Sequence, residues 1–237
     1  VAQNVAVIAG DEAIPSIVAP VRVEIFSDVV CPWCYIGKAR FDRAVANLVA
    51  NGTAIELEMV YSPYQLDPTA PEGDATPVLE AYAKKFGGHE KAQQIIEHVT
   101  SIAAQEGIEF NMGIALRANT LSSHRLLTHA LKDYGPTEQA ALKERVMRAY
   151  FTEGKDISNH EVLAHCAEAV GMDKDRATQI LESDAYAQDV AESLLNAASN
   201  GITAVPTYVI NDQWSIPGAQ DTAMFERALL RLHENSR

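Results

Sequence analysis

Cys31 and Cys34 are separated by Pro32 and Trp33, and the stretches on either side decide what two cysteines at that spacing do. The thiolate is the reactive form of cysteine, so what matters is whether the surroundings favour negative charge. Upstream, Val21-Arg22-Val23-Glu24-Ile25-Phe26 alternates and is rich in β-branched residues, the pattern of a strand. Downstream, from Tyr35 to Ala50, apolar residues at 35, 36, 39, 41, 44, 45, 48 and 49 recur close to helical spacing. The pair therefore falls where a strand feeds a helix, with Cys31 at the helix N-terminus. Unpaired N–H groups and the helix dipole stabilise negative charge there, which lowers a thiol pKa. Pro32 fits the first helical turn, where its missing N–H costs nothing. One short turn brings the two sulfurs together. Such a pair reads as a redox dithiol.

Other uses of the cysteines fit less well. Half of a zinc site would need two further ligands at matched spacing, and Cys166 and the seven histidines show no such pairing. No metal is expected. Three cysteines are too few for a disulfide framework, and an odd count leaves one unpaired. Cys166 lies in Val162-Leu163-Ala164-His165-Cys166-Ala167, on an apolar helix face, and reads as a small buried hydrophobe. A net charge of −13 argues against a nucleic-acid partner. No apolar run approaches the ~20 residues of a membrane span. Residues 1–20 hold a weak apolar stretch, Val5 to Ala9, followed by Asp11 and Glu12, with no basic segment before it. They read as a flexible lead-in rather than a signal peptide, and a cytoplasmic location is expected. An exported location stays open because the chain begins with Val.

The remaining elements follow from periodicity and turn residues. Asn51-Gly52 marks a turn, and residues 54–61 alternate like a second strand. A proline-punctuated loop runs from Ser62 to Thr76. Helices are expected at about 77–86, 89–106, 119–134, 137–151, 158–170, 173–182 and 184–200. Ser158 and Glu161 have capping-box spacing, and Gly107, Gly171 and Gly201 follow helix C-termini. Strand pattern returns at residues 205–210, then a turn at Asn211-Asp212 and a short strand over Gln213 to Ile216. Asp221 caps a closing helix that reaches about Leu232. The order is β-α-β, a helical block, then β-β-α, an α/β arrangement. Residues 21–76 and 184–237 form one unit in this reading, and residues 77–183 form a helical insertion.

This order, with its motifs, resembles the thioredoxin superfamily, specifically the DsbA family and within it the FrnE-type branch, which is related to 2-hydroxychromene-2-carboxylate isomerases. The resemblance rests on Phe26-Ser-Asp-Val-Val-Cys-Pro-Trp-Cys-Tyr-Ile-Gly37, Asn119-Thr-Leu-Ser-Ser-His-Arg-Leu126, Gly201-Ile-Thr-Ala-Val-Pro-Thr-Tyr208 and Gly218-Ala-Gln220. It spans roughly residues 21–234. It implies a thioredoxin fold with a large helical insertion, Cys31 as the exposed nucleophile and Cys34 as the buried resolving thiol. It implies that Val205-Pro206 is a cis-proline loop facing the cysteines, with the backbone of Val205 presented to an extended substrate. Pro32 and Trp33 join them as substrate-contacting residues. The implied activity is thiol–disulfide exchange on protein or small-molecule substrates, served by a redox partner of unknown identity. No cofactor beyond the redox disulfide is implied, with glutathione as a candidate co-substrate.

Two other functions compete. Glutathione-dependent isomerases of the same neighbourhood typically carry serine at the first position, so Cys31 argues against that chemistry. A redox-regulated accessory or holdase protein would use the pair only to control a binding surface. His124, Arg125 and Asn119 either line the active-site groove or serve the helix they begin. Asp28 either tunes a thiol or simply forms the turn after the strand.

Overall fold

The structure is a computed structural model, and it describes residues 20–73 and 76–235. The expected flexible lead-in lies outside them except for Pro20. Four strands form one mixed sheet. β1 (Val21–Ser27) pairs in parallel with β2 (Leu57–Pro63), Val21 opposite Leu57 and Ser27 opposite Pro63. On its other side β1 pairs antiparallel with β3 (Thr207–Ile210), which pairs antiparallel with β4 (Trp214–Pro217). The order across the sheet is β2-β1-β3-β4. Between β1 and β2 runs α1 (Pro32–Ala50), and the closing helix α9 (Thr222–Asn235) packs beside it.

Alternation in β1 puts Val21, Val23 and Ile25 on one face, where they meet Phe41, Ala44 and Leu48 of α1 and Phe225 and Leu229 of α9. Phe41 stacks on Tyr208 with ring centroids 5.3 Å apart, and Phe225 closes on both rings edgewise. The close approach of α1 to β3 depends on Gly37. A Cβ there would stand 2.7 Å from the Tyr208 hydroxyl and 3.2 Å from Cγ of Pro206. Asp221 caps α9 as expected, accepting from the N–H of Met224 at 2.7 Å.

Helices fill the space between β2 and β3: α2 (Val78–Phe86), α3 (His89–Gln105), α4 (Leu121–His129), α5 (Pro136–Phe151), α6 (His160–Ala169), α7 (Lys174–Leu181) and α8 (Ala187–Ser199). A π-helical turn, Ala130–Tyr134, extends α4. They surround a second core, in which Leu126, Leu142, Met147, Phe151 and Leu163 are buried together with Val29, Cys31, Cys34, Tyr35 and Ile36. The strand-to-helix junction is thus shared between the sheet and the insertion. At the sheet edge, Gln139 of α5 donates to the carbonyl of Tyr61 and accepts from its N–H, both at 2.8 Å. A side chain there occupies the backbone groups that an edge strand otherwise leaves open.

Three boundaries differ from the pattern reading. β2 begins at Leu57 rather than 54 and continues to Pro63, because its limits are set by register with β1; a proline is tolerated on an edge strand. β3 begins at Thr207 rather than 205, because its pairing with β1 starts with Thr207 opposite Phe26. The cap of α6 is Asn159, not Ser158. The Asn159 side chain accepts from the N–H groups of Glu161 and Val162, while the Ser158 hydroxyl donates to Asp156 at 2.6 Å. Gly107, Gly171 and Gly201 do follow helix ends, with φ of +78°, +85° and +73°.

Candidate active site

Cys31 is the N-cap of α1, with extended φ/ψ of −87° and 115°, and its carbonyl accepts from the N–H groups of Cys34 (3.0 Å) and Tyr35 (3.3 Å). One turn thus stacks the two cysteine side chains against each other. Cys31 Sγ also lies 3.8 Å from the carbonyl oxygen of Val205, the residue joined to Pro206 by a cis peptide bond. Residues 174 apart in sequence are brought into contact by the antiparallel pairing of β1 with β3.

A groove of about 800 Å³ opens beside Cys31. The start of α1 (Cys31, Pro32, Trp33), the apolar faces of α2 and α3 (Tyr82, Phe86, Val99) and the segment Thr203 to Val205 line it. Lys84, Lys85 and Arg117 stand along it. Trp33 leans over His98 of α3, ring centroids 6.2 Å apart. Four of the six residues expected to act or to bind, Cys31, Pro32, Trp33 and Val205, therefore line one groove, and Cys34 and Pro206 do not. The expectation of an exposed Cys31 needs correction. It is 4% exposed against 2% for Cys34, because the groove walls close over the sulfur.

The thiols are buried in contact, so they share one negative charge and titrate as a pair. Several groups favour it on Cys34. Burial opposes it, but the Cys31 thiol donates to it, the Lys143 ammonium attracts it, and the Ser27 hydroxyl and Asp28 N–H add weaker pulls, so Cys34 falls below the usual thiol range. Cys31 is pushed well above that range, first by donating its proton to Cys34 and then by burial and by the charge of Cys34 itself.

Asp28 does more than form a turn. It is fully buried, accepts from the Leu66 N–H at 2.7 Å through Oδ2, and has Oδ1 3.3 Å from Nε2 of His124. The same nitrogen is 3.0 Å from the Tyr64 carbonyl. Both neighbours are acceptors, so Nε2 carries the proton. His124 thus pins the loop after β2 against the strand that ends at the cysteines. Asn119 serves its own helix and that loop, accepting from the Leu121 N–H at 2.9 Å and donating to the Ala70 carbonyl at 2.6 Å. Arg125 faces away from the cysteines, with its guanidinium donating to the carbonyls of Ile180, Ser183 and Ala185.

Lys143 of α5 was not singled out from the sequence. It is 1% exposed, its Nζ makes no hydrogen bond, and it sits 5.1 Å from the Tyr61 ring centroid. Burial lowers its pKa to about 8 against the attraction of Cys34 and Asp28. The signal was present: Gln139 and Lys143 fall four residues apart on the same face of α5 as Val146, Met147 and Tyr150, all buried. Cys166 occupies the middle of α6, and burial pushes it up to about 11.

Comparison with known proteins gives a consistent picture. The model of the DSBA-like thioredoxin domain family matches residues 22–230. The uncharacterized protein YwbO of Bacillus subtilis (strain 168) is 30% identical over 217 residues, covering 88% of this chain and 96% of that protein. The crystal structure of a probable DsbA oxidoreductase from Streptomyces coelicolor is 32% identical with a TM-score of 0.81, over 92% of this chain and 91% of its own. A 2-hydroxychromene-2-carboxylate isomerase shares the fold at 17% identity and a TM-score of 0.63, over 90% of this chain and 97% of that one. Among the described residues no helix is long and apolar enough to cross a membrane.

Proposed function

Because the chain belongs to the DSBA-like thioredoxin domain family, we propose that it is a thiol–disulfide oxidoreductase working through Cys31 and Cys34. The observation that carries this reading is the stacked pair at the start of α1, with Cys31 bordering a groove and Cys34 behind it. In the oxidised form a substrate thiolate attacks Sγ of Cys31, the Cys31–Cys34 bond breaks, and Cys34 departs as the thiolate. A second substrate thiolate then displaces Cys31, which releases the oxidised substrate. A leaving thiol of lowered pKa departs faster, and Cys34 has that character. In the reductive direction a proton passes across the sulfur–sulfur contact to Cys34. Cys31 then attacks the substrate disulfide, and Cys34 displaces the product.

The groove suits an extended polypeptide or a small thiol whose apolar part rests on Trp33, Tyr82 and Phe86, with the Val205 carbonyl beside the reacting sulfur. Its volume is within the roughly 300–1,000 Å³ typical of ligand pockets. Glutathione is one such thiol and serves as a co-substrate in this reading. A cytoplasmic location would favour the reductive direction, since stable disulfides are rare there.

The test is equilibration of the full chain in glutathione redox buffers, with the Cys31–Cys34 bond quantified by thiol trapping. An intramolecular disulfide is expected. A midpoint near about −120 mV would mean a disulfide donor, and one near about −270 mV a reductase. No intramolecular disulfide at any buffer ratio would sink the redox reading and put glutathione-dependent isomerase chemistry first.

A further inference from the structure

Lys143 takes no part in the exchange just described, yet it occupies the space beneath the pair. Gln139, one turn earlier on α5, is locked to the backbone of Tyr61 by two hydrogen bonds, which fixes the face that carries Lys143 inward. The groups facing the ammonium come from every neighbouring element. These are Cys34 and Lys38 on α1, Cys31 at its cap, Asp28 after β1 and Tyr61 on β2. Lys38 is already matched by Asp42 at 2.7 Å and Glu144 at 2.6 Å. Asp28 is engaged by the Leu66 N–H and His124. Among the described residues Nζ itself has no hydrogen-bond partner. A buried cation in that state is costly unless a counter-charge stands near it.

Among those groups the cysteine pair alone changes charge with redox state. The dithiol form holds one thiolate between its two sulfurs, and the disulfide form has none. We propose that Lys143 is a positioning residue that sets the redox poise of the pair. Its ammonium, buried beside the pair, faces the thiolate of the reduced site in addition to Asp28 and loses that counter-charge in the disulfide, which makes the disulfide the stronger oxidant. This inference rests on the redox reading of Cys31 and Cys34. With glutathione as reductant the step balances. Two glutathione thiols form one glutathione disulfide and supply the electron pair that breaks the Cys31–Cys34 bond. Of their two protons one stays on the cysteine pair and one goes to solvent, so the pair keeps one thiolate facing Lys143. Coupling between two sites is reciprocal, so the disulfide must make Lys143 easier to deprotonate by the factor that Lys143 makes the disulfide easier to reduce.

The experiment compares wild type, Lys143→Met and Lys143→Arg as full chains in glutathione buffers, together with thiolate absorbance against pH. Lys143→Met is expected to shift the equilibrium about tenfold toward the disulfide, which is about 30 mV more negative, and to raise the pH at which thiolate appears. Lys143→Arg keeps the charge and is expected to stay near wild type on both readouts. A Lys143→Met midpoint equal to wild type overturns the proposal, and so does an equal shift in both variants, which would mean packing. Absence of a disulfide in wild type is a different result, the failure of the redox reading itself. Should the variants not fold, nuclear magnetic resonance titration of the Lys143 side chain in wild type decides. An amine about tenfold more acidic in the disulfide form supports the coupling, and equal values in both forms overturn it.

Discussion

Cys34 and Cys166 are equally hidden, 2% and 1% exposed, and behave in opposite ways. Burial pushes both thiols up. At Cys166 it prevails, because Arg145, which attracts the thiolate, is taken by Glu153 through two 3.0 Å hydrogen bonds, and Glu153 opposes that attraction. At Cys34 it is overcome by a thiol donor, by the Lys143 ammonium and by a backbone N–H. The lesson is that depth does not decide thiol chemistry. What decides it is whether the charge around a buried sulfur is already neutralised by something else.

That comparison is sharpest in turnover. Cys31→Ser or Cys34→Ser is expected to reduce disulfide-exchange activity on the order of 10³-fold or more, since two groups that act as a unit fail together. Cys166→Ser should leave the rate within about twofold. A comparable loss in Cys166→Ser would break the comparison.

Stability should separate the two regions next. The Lys143 pKa falls from 10.5 in the unfolded chain to about 8 in the folded protein. The unfolded chain therefore binds more protons between those values, and stability rises as pH climbs through that window. At pH 7 the buried ammonium costs about 3 kcal/mol at most. Lys143→Met should raise Tm at pH 7, with the gain shrinking toward pH 10.5, as thermal unfolding at both values will show. A lower Tm at pH 7 would mean that the residue is kept for packing.

Alkylation supplies a direct readout of the same contrast. At pH 7 a thiol with pKa about 11 is ionised to only about one part in 10⁴. Iodoacetamide should label the reduced pair at least about 100-fold faster than Cys166, mapped by mass spectrometry. Equal labelling would show that accessibility, not charge, governs both.

The smallest effect is geometric. Gly37→Ala places a methyl group 2.7 Å from the Tyr208 hydroxyl and 3.2 Å from Pro206, so the loop carrying Val205 must shift. A cost of about 1–2 kcal/mol is expected from overpacking. Activity should fall while Cys166 labelling stays unchanged, and unaltered Tm and activity would show that the loop yields freely.

Much of this was legible in the chain. Period-two alternation marked β1 and, with a start three residues early, β2; helical spacing placed each helix to within about three residues, and glycines marked helix ends where φ is positive. The strand-to-helix junction at Cys31-Pro32-Trp33-Cys34 was readable for the same reason: each of those signals is local, fixed by neighbours a turn or two away. What escaped was decided between elements. The limits of β2 depend on its register with β1, and the choice of Asn159 over Ser158 as a cap depends on where Asp156 holds the serine. His124 meets Asp28, and Lys143 meets Cys34, across about a hundred residues. By itself the sequence determined that a dithiol stands at the start of a helix. Only the tertiary structure decided which charged groups face that dithiol, because electrostatic energy depends on distance and burial, and both are set when α5 docks against the edge of the sheet.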